Sequence, residues 1–156
     1  TPSDNIYGTW NGAAGTYEND GKETIITIEL NKLKDPQGLI ATMAHELAHY
    51  ILLGEGRIPE NDEYLTDITA VVYGFGIFMG NTRFKHNTFS TNQGSGWEMS
   101  RTGYIPEQVI AYAMAWLCVY RNEDPFWKNM LNKSMLKYFE MSLEYIQTYP
   151  EKIRFE

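Results

Sequence analysis

Cysteine and long apolar runs are scarce in this sequence, and each shortage excludes a class of protein. Cys118 is the single cysteine among 156 residues, so no disulfide can form within the chain, and its apolar neighbours favour a small buried thiol. The longest uncharged apolar stretches, 68–80 and 109–120, are shorter than the about 18 residues of a membrane span. We therefore expect buried helices there and no membrane span.

Basic residues are also few, with 13 Lys and Arg against 20 Asp and Glu, which gives a formal charge of −7. Because the basic residues are scattered, we expect neither a nucleic-acid partner nor binding to an anionic membrane. The shortage of cysteine favours a cytoplasmic location slightly, while a signal peptide removed before Thr1 stays an open alternative.

Repeats, low-complexity tracts and proline-rich linkers are absent from the sequence, which speaks against several domains. A hydrophobic content of 43% and an aromatic content of 14% suit one compact domain over residues 1–156 with a sizeable core. No pattern in the chain predicts its oligomeric state.

One dense motif stands out, His45-Glu46-Leu47-Ala48-His49. Residues four apart on a helix lie on one face, roughly 6 Å apart, so both imidazoles can reach one tetrahedral zinc ion. Glu46 is turned away from the direct ligand axis, which suits a carboxylate that contacts a metal-bound water without binding the metal. Such a site needs a helix around the motif and a third ligand beyond it.

The pattern before the second helix predicts a hairpin and a long first helix. The turn signal at 19–22 separates residues 15–18 from the β-branched run 24–30, in which Ile26, Ile28 and Leu30 share one face. Residues 35–54 begin with Asp35-Pro36 and carry apolar side chains at helical spacing. The zinc motif therefore falls within a helix.

Further helices are predicted from Asn61-Asp62 to Gly80-Asn81, from Pro106 to Arg121, as a short piece after Asp124-Pro125, and over 134–148. The polar residues 81–103 indicate a long loop, of which 87–103 either covers a cleft with Trp97 facing the substrate or is a variable insertion. The fold class is α+β, mainly α, with a small N-terminal β-hairpin, the motif helix, a second ligand-bearing helix and two or more C-terminal helices. Aromatic side chains of the third and fourth helical segments are expected in the core: Tyr112, Trp116, Tyr120, Phe126 and Trp127.

The third zinc ligand has four acidic candidates downstream of the motif: Glu60, Asp62, Glu63 and Asp67. The metzincin continuation fails, because Leu52 and Glu55 occupy the positions where that subclass has glycine and histidine. Glu63 and Asp67 are four apart and project from one helix face. We assign Glu63 as the ligand and Asp67 as the acceptor for the free ring N–H of a liganding histidine. In the alternative interpretation both are acids favoured by the helix dipole, with no metal.

The spacing of His45-Glu46-x-x-His49 and Glu63-x-x-x-Asp67 resembles the gluzincin group of zinc metallopeptidases, the thermolysin-like clan. The chain also resembles short bacterial zincin-like domains, in which a segment like Leu65-Thr66-Asp67 follows the motif. The resemblance implies ligand roles for His45, His49 and Glu63, a general-base role for Glu46, and a zincin-like fold. The gap from His49 to Glu63 is shorter than in thermolysin and is closer to the ImmA/IrrE-like peptidases.

Zinc-dependent peptide hydrolysis is therefore the leading expectation, with a peptide or protein substrate. Water bound to Zn²⁺ would attack a peptide carbonyl while Glu46 accepts its proton. The group that stabilises the oxyanion is open among four candidates, His86, Arg101, Tyr104 and Tyr112. The alternative is a non-catalytic domain of ImmA/IrrE-like type that binds metal for structure or senses a partner. Cleavage preference is not predicted by any motif.

Overall fold

Helices dominate the fold, and two small antiparallel hairpins accompany them. The computed structural model describes residues 15–91, 94–101 and 103–153. Its strands and main helices run in the order β1 (Gly15–Asn19), β2 (Thr24–Ile28), α1 (Pro36–His49), α2 (Glu63–Ala70), α3 (Gly76–Asn81), β3 (Phe84–Thr91), β4 (Gly94–Arg101), α4 (Glu107–Arg121) and α5 (Lys133–Thr148). Short 3₁₀ segments lie at Leu30–Lys34, Phe126–Met130 and Pro150–Lys152. The predicted mainly helical α+β class is confirmed.

The N-terminal hairpin forms as the turn signal predicts. Asn19 Oδ1 accepts a hydrogen bond from the Gly21 amide at 2.8 Å, and Gly21 has a φ of 82°, which favours glycine. The strands pair with Gly15 opposite Ile28. The expectation for Leu30 is wrong, because the chain turns into a 3₁₀ segment after Ile28 and leaves Leu30 80% exposed.

Helix α1 begins where the Asp35-Pro36 pair predicts. The Asp35 carboxylate accepts a hydrogen bond from the Gly38 amide at 3.2 Å, and proline occupies the first turn, where no amide donor is needed. After His49 the helix widens into a π-type turn, Tyr50–Gly54, in which the Glu55 amide donates to the Tyr50 carbonyl at 3.0 Å. The motif therefore ends the regular part of the helix.

The predicted second helix is broken into α2 and α3. Asp62 caps its start by accepting a hydrogen bond from the Leu65 amide at 3.0 Å, as expected of an N-cap residue. The break is a π-type turn, Val71–Phe75, that contains Gly74 at a φ of 97°. Only glycine adopts this conformation readily, so the glycine interrupts the helix.

The prediction of a loop over 81–103 is wrong for its larger part. Strands β3 and β4 pair antiparallel, with Phe84 opposite Arg101 and Thr91 opposite Gly94. A backbone ladder needs no apolar side chains, which is why this polar segment gave no strand signal. The proposed cover over the cleft and the role of Trp97 concern side chains that lie outside the described part of the molecule.

The core is formed by α4 and α5 together with α1, which carries the motif, and with α2 and α3. Small side chains on one face of α4 let neighbouring helices approach closely. Cys118, on the same helix, is buried, which confirms the expected buried thiol. Of the aromatic residues expected in the core, Trp116 and Trp127 pack against it. The expectation is wrong for Tyr112, Tyr120 and Phe126, which are 37%, 61% and 76% exposed. Within the described ranges, no helix is long and apolar enough to cross a bilayer.

Candidate metal centre

Helices α1 and α2 bring three of the predicted site residues together. His45 Nε2 lies 3.1 Å from Glu63 Oε2 and 3.1 Å from His49 Nε2. His49 Nε2 lies 3.4 Å from the same Glu63 oxygen. The three atoms thus form a nearly equilateral triangle.

The size of this triangle fits a tetrahedral zinc site. With metal–ligand bonds of about 2.0 Å, the edge of a coordination tetrahedron is about 3.3 Å. The observed separations of 3.1 to 3.4 Å match that edge. His45, His49 and Glu63 could therefore hold a metal ion, with a fourth position left for water or substrate.

The hydrogen-bond partner of His45 fixes its tautomer. Its Nδ1 lies 2.8 Å from Asp67 Oδ1. Burial would raise the pKa of Asp67, but hydrogen bonds from His45, Arg83 and backbone amides outweigh burial and hold that pKa well below its ordinary value. The ionised carboxylate can only accept, so Nδ1 carries the hydrogen and the Nε2 of a neutral His45 presents a lone pair.

His49 is fixed in the same tautomer by Thr66. The Thr66 hydroxyl donates to the Asp62 carbonyl at 2.8 Å, so its hydrogen is used. At its 3.4 Å contact with His49 Nδ1 the hydroxyl must therefore accept. His49 then also directs an Nε2 lone pair toward Glu63.

Two nitrogen lone pairs and a carboxylate oxygen thus converge on one point, which requires a positive charge between them. Burial lowers the pKa of His45, but the hydrogen bond and charge of Asp67 outweigh it and the net shift is upward. Burial and the charge of His45 lower the pKa of His49. A divalent cation at this point would satisfy all three atoms.

The carboxylate of Asp67 is held in place by hydrogen bonds from several segments of the chain. Its side chain is fully buried, and its Oδ2 accepts hydrogen bonds from Arg83 Nη2 at 2.8 Å, the Tyr104 amide at 2.8 Å and the Ile105 amide at 3.1 Å. Asp67 Oδ1 contacts His45 Nδ1, so the carboxylate lies behind the ring of a candidate ligand, where the sequence predicts it. Such a partner orients the ring and fixes the nitrogen available to a metal.

Arg83 was missed by the sequence reasoning and lies behind Asp67, only 1% exposed. Gly103 lies against it with a φ of 83°, and a Cβ at this position would overlap the guanidinium. Glycine is thus required twice at residue 103, for its backbone angle and for the close approach of Arg83. No sequence signal links Arg83 to the motif, whereas Thr66, one turn after Glu63, could have been found from helical spacing.

Glu46 lies on α1 and lines the same cleft as the three candidate ligands. It is only 4% exposed. Burial raises its pKa above the ordinary value, the charge of His45 opposes the shift and that of Glu63 adds to it. Strand β1 packs closely here, since a Cβ on Gly15 would lie 2.9 Å from Glu46 Oε1. The carboxylate is therefore held in a desolvated position beside the site.

The remaining acidic candidates do not converge with the histidines. Asp62 caps α2, and Glu60 is exposed. Glu55, which is not one of the candidates, pairs with Arg57 at 2.7 Å on the surface. Among the described residues, one acid alone, Glu63, joins His45 and His49 in a metal-sized cluster.

Two of the four candidates for the oxyanion, Tyr104 and Tyr112, have side chains that the structure describes, and of these two it is Tyr104 that lies at the site. Its ring stacks on His45 with centroids 5.8 Å apart, and it lines the cleft. Burial raises its pKa, and the charges of the nearby carboxylates add to the shift. Tyr112 lies on α4 and is not among the described residues that line the cleft. The side chains of His86 and Arg101 lie outside the described part of the structure.

Comparison of the chain with protein-family models, with curated proteins and with solved structures finds no match. The interpretation of the site therefore depends on its own geometry and chemistry.

Proposed function

We propose that this protein is a zinc-dependent hydrolase of the metallopeptidase type. The observation that carries the proposal is the convergence of two histidine lone pairs and a carboxylate oxygen, 3.1 to 3.4 Å apart, in a cleft that also buries a fourth group, Glu46. Two neutral imidazoles and one carboxylate are a ligand set typical of catalytic zinc sites. The gluzincin group is the family that this arrangement favours.

His45, His49 and Glu63 would hold the ion. Bound there, zinc supplies Lewis acidity toward a water molecule and a substrate carbonyl. The chain itself fixes the ligands: Asp67 and Thr66 hold the two imidazole N–H groups, so both Nε2 atoms are kept deprotonated and aimed at one point.

Glu46 would accept the proton of the attacking water and deliver it to the leaving amine. A base works best when its pKa approaches the working pH, and burial moves the pKa of Glu46 upward in that direction. Its neighbours on the helix, His45 and His49, point to the candidate ion, whereas Glu46 is absent from the cluster of ligand atoms. The carboxylate is thus available for proton transfer.

Tyr104 would donate a hydrogen bond to the oxygen on which negative charge develops. Its stacking on His45 keeps the ring at the edge of the site, and its raised pKa keeps the hydroxyl protonated as a donor at neutral pH. Donors of this kind typically contribute about 10²–10³ in rate.

The test is to replace Glu46 by Gln in the zinc-loaded protein and to measure cleavage of a peptide panel. We expect zinc binding to be retained and cleavage to be abolished, because glutamine keeps the shape of the side chain but cannot accept the proton. Glu55→Gln is the matched control, since Glu55 is exposed and paired with Arg57, and it should leave the rate unchanged.

Cleavage by Glu46→Gln at the wild-type rate would overturn the proposed mechanism. Zinc binding without any cleavage by the wild type would favour the alternative of a metal-binding or sensing domain.

A further inference from the structure

The carboxylate of Glu46 differs from the other acids of the site in how it is held. Asp67 Oδ2 accepts three hydrogen bonds, and Glu63 Oε1 accepts one from the Asn61 side-chain amide at 2.8 Å. Glu46, by contrast, accepts no hydrogen bond from any of the described residues. A glutamate side chain has several rotatable bonds, so the direction of this carboxylate must be set by packing.

The backbone of strand β1 closes one side of the Glu46 side chain. A Cβ added to Gly15 would lie 2.9 Å from Glu46 Oε1 and 3.1 Å from Glu46 Cγ. Both distances are shorter than the about 3.5–4.0 Å of a favourable contact between carbon atoms. The missing side chain at residue 15 therefore leaves just enough room for the carboxylate.

The methyl group of Thr42 closes a second side. Thr42 precedes Glu46 by one turn on the same face of α1, and its Cγ2 lies 2.7 Å from the same Cβ position at Gly15. The rotamer that turns the methyl to this point leaves the Thr42 hydroxyl buried without a partner among the described residues. An unpaired buried hydroxyl is destabilising, and proteins commonly retain such a cost where function requires it.

Strand β1 is also held against α1 further along, at Tyr17. The Tyr17 ring stacks on His49 with centroids 6.2 Å apart, and its hydroxyl accepts a hydrogen bond from the Asn19 side-chain amide at 3.1 Å. A Cβ on Gly54 would lie 2.5 Å from the Tyr17 hydroxyl oxygen, so the phenol is tightly packed. Gly15 and Tyr17 lie on the same face of the strand. The strand thus contacts α1 at two points and has little freedom to move away from Glu46.

We infer that Gly15 and Thr42 are positioning residues that hold the carboxylate of Glu46 in the cleft beside the candidate metal ligands. This inference rests on the proposed hydrolase function, in which Glu46 is the base. A side chain at residue 15 would displace the carboxylate, because the strand and the Thr42 methyl can move little and the end of a glutamate side chain can move easily. A displacement of about 1 Å can cost about 100-fold in rate.

The first experiment measures cleavage of the peptide panel by zinc-loaded Gly15→Ala. We expect kcat to fall about 100-fold, with KM within about threefold of wild type and zinc affinity unchanged. Gly21→Ala is the matched control, since Gly21 lies in the turn of the same hairpin with nothing within 4 Å of an added Cβ, and it should keep the wild-type kcat.

Three outcomes of this experiment would contradict the inference. Equal losses of kcat in the two glycine variants would show that the stability of the hairpin is responsible. A wild-type kcat in Gly15→Ala would overturn the inference and keep the proposed function. Absence of cleavage by the wild type would overturn both.

A crystal structure of Gly15→Ala supplies a readout that does not depend on activity. We expect the Glu46 carboxylate to be displaced by about 1 Å or more, with His45, His49 and Glu63 in place. A carboxylate in its wild-type position would overturn the inference.

Two variants of Thr42 test the second side without altering the hairpin. Thr42→Ser removes the methyl and keeps the hydroxyl, and we expect kcat to fall about tenfold with zinc affinity unchanged. Thr42→Val, the conservative variant for this role, keeps the methyl and should retain a kcat within about twofold of wild type. The opposite order, with the serine variant active and the valine variant impaired, would show that the hydroxyl acts and would contradict the role of the methyl.

Discussion

Replacing Asp67 by asparagine removes one buried negative charge while the size of the side chain stays the same. Arg83 would then keep its positive charge at 1% exposure without the carboxylate that now lies 2.8 Å away. Breaking a buried ion pair in this way costs about 3–5 kcal/mol. That is a large share of the about 5–15 kcal/mol that stabilises a typical domain.

The same substitution should also weaken zinc binding, through the tautomer of His45. The amide oxygen of the introduced asparagine would face Arg83 and the two backbone amides, so its NH₂ group would face His45 Nδ1. His45 would then accept at Nδ1 and carry its hydrogen on Nε2, where the lone pair is needed. We expect a loss of about 10–100-fold in zinc affinity, the usual effect of removing such a partner.

The assay is urea unfolding of the metal-free proteins in the presence of a chelator, so that zinc binding does not contribute to stability. Asp62→Asn is the matched control, because asparagine caps a helix as well as aspartate and Asp62 is exposed. A metal-free Asp67→Asn protein within about 1 kcal/mol of wild type would refute the reasoning, since a buried ion pair cannot be broken at so small a cost.

Acid unfolding gives a second readout on Asp67. The pKa of Asp67 is lower in the folded chain than in the unfolded one. Its ionised carboxylate therefore contributes fully to stability when the pH is above the unfolded pKa of about 3.9, and this contribution is lost as the pH falls below that value. The free energy of unfolding of the wild type should therefore decrease more steeply below about pH 4 than that of Asp67→Asn.

Three further predictions concern single side chains. Gly103→Ala should lower the free energy of unfolding, measured by chemical denaturation, by at least about 2 kcal/mol. Gly21→Ala, also at positive φ but with nothing within 4 Å of the added Cβ, should lower it by about 1 kcal/mol. Equal losses would show that the contact with Arg83 does not contribute to the effect. Thr42→Val should raise the free energy of unfolding by about 1 kcal/mol, because the buried Thr42 hydroxyl has no hydrogen-bond partner among the described residues. Thr82→Val is the control and should lower it, because the Thr82 hydroxyl donates a 2.7 Å hydrogen bond to the Phe78 carbonyl. Cys118, whose pKa burial raises to about 11, should react with iodoacetamide at pH 8 only on unfolding, and rapid labelling of the native protein would contradict its burial.

The candidate ligands were predictable because local periodicity places them. His45 and His49 are four apart on a helix whose start Asp35 and Pro36 mark, and Glu63 follows an N-cap at Asp62. Each of these signals acts within one or two helical turns, where geometry follows directly from sequence.

The rest of the site could not be predicted, because it depends on contacts between distant segments. Arg83 and the amides of Tyr104 and Ile105 reach Asp67 across 16, 37 and 38 residues, and no periodicity encodes such pairings. The β3–β4 hairpin was missed for a different reason, since its polar strands lack the apolar alternation that marks a half-buried strand. The break at Gly74 depends on a backbone angle that a glycine permits but does not require.

Zinc binding tests the central claim most directly. Calorimetric titration of zinc into the chelator-treated wild type should give one zinc ion per chain. His49→Ala and Glu63→Ala should lose at least about 100-fold in affinity, since each removes one of three ligands. Glu60→Ala, which removes a nearby exposed carboxylate outside the cluster, should bind as the wild type does. A wild type that binds no zinc, or a loss of affinity in Glu60→Ala and not in Glu63→Ala, would contradict the account.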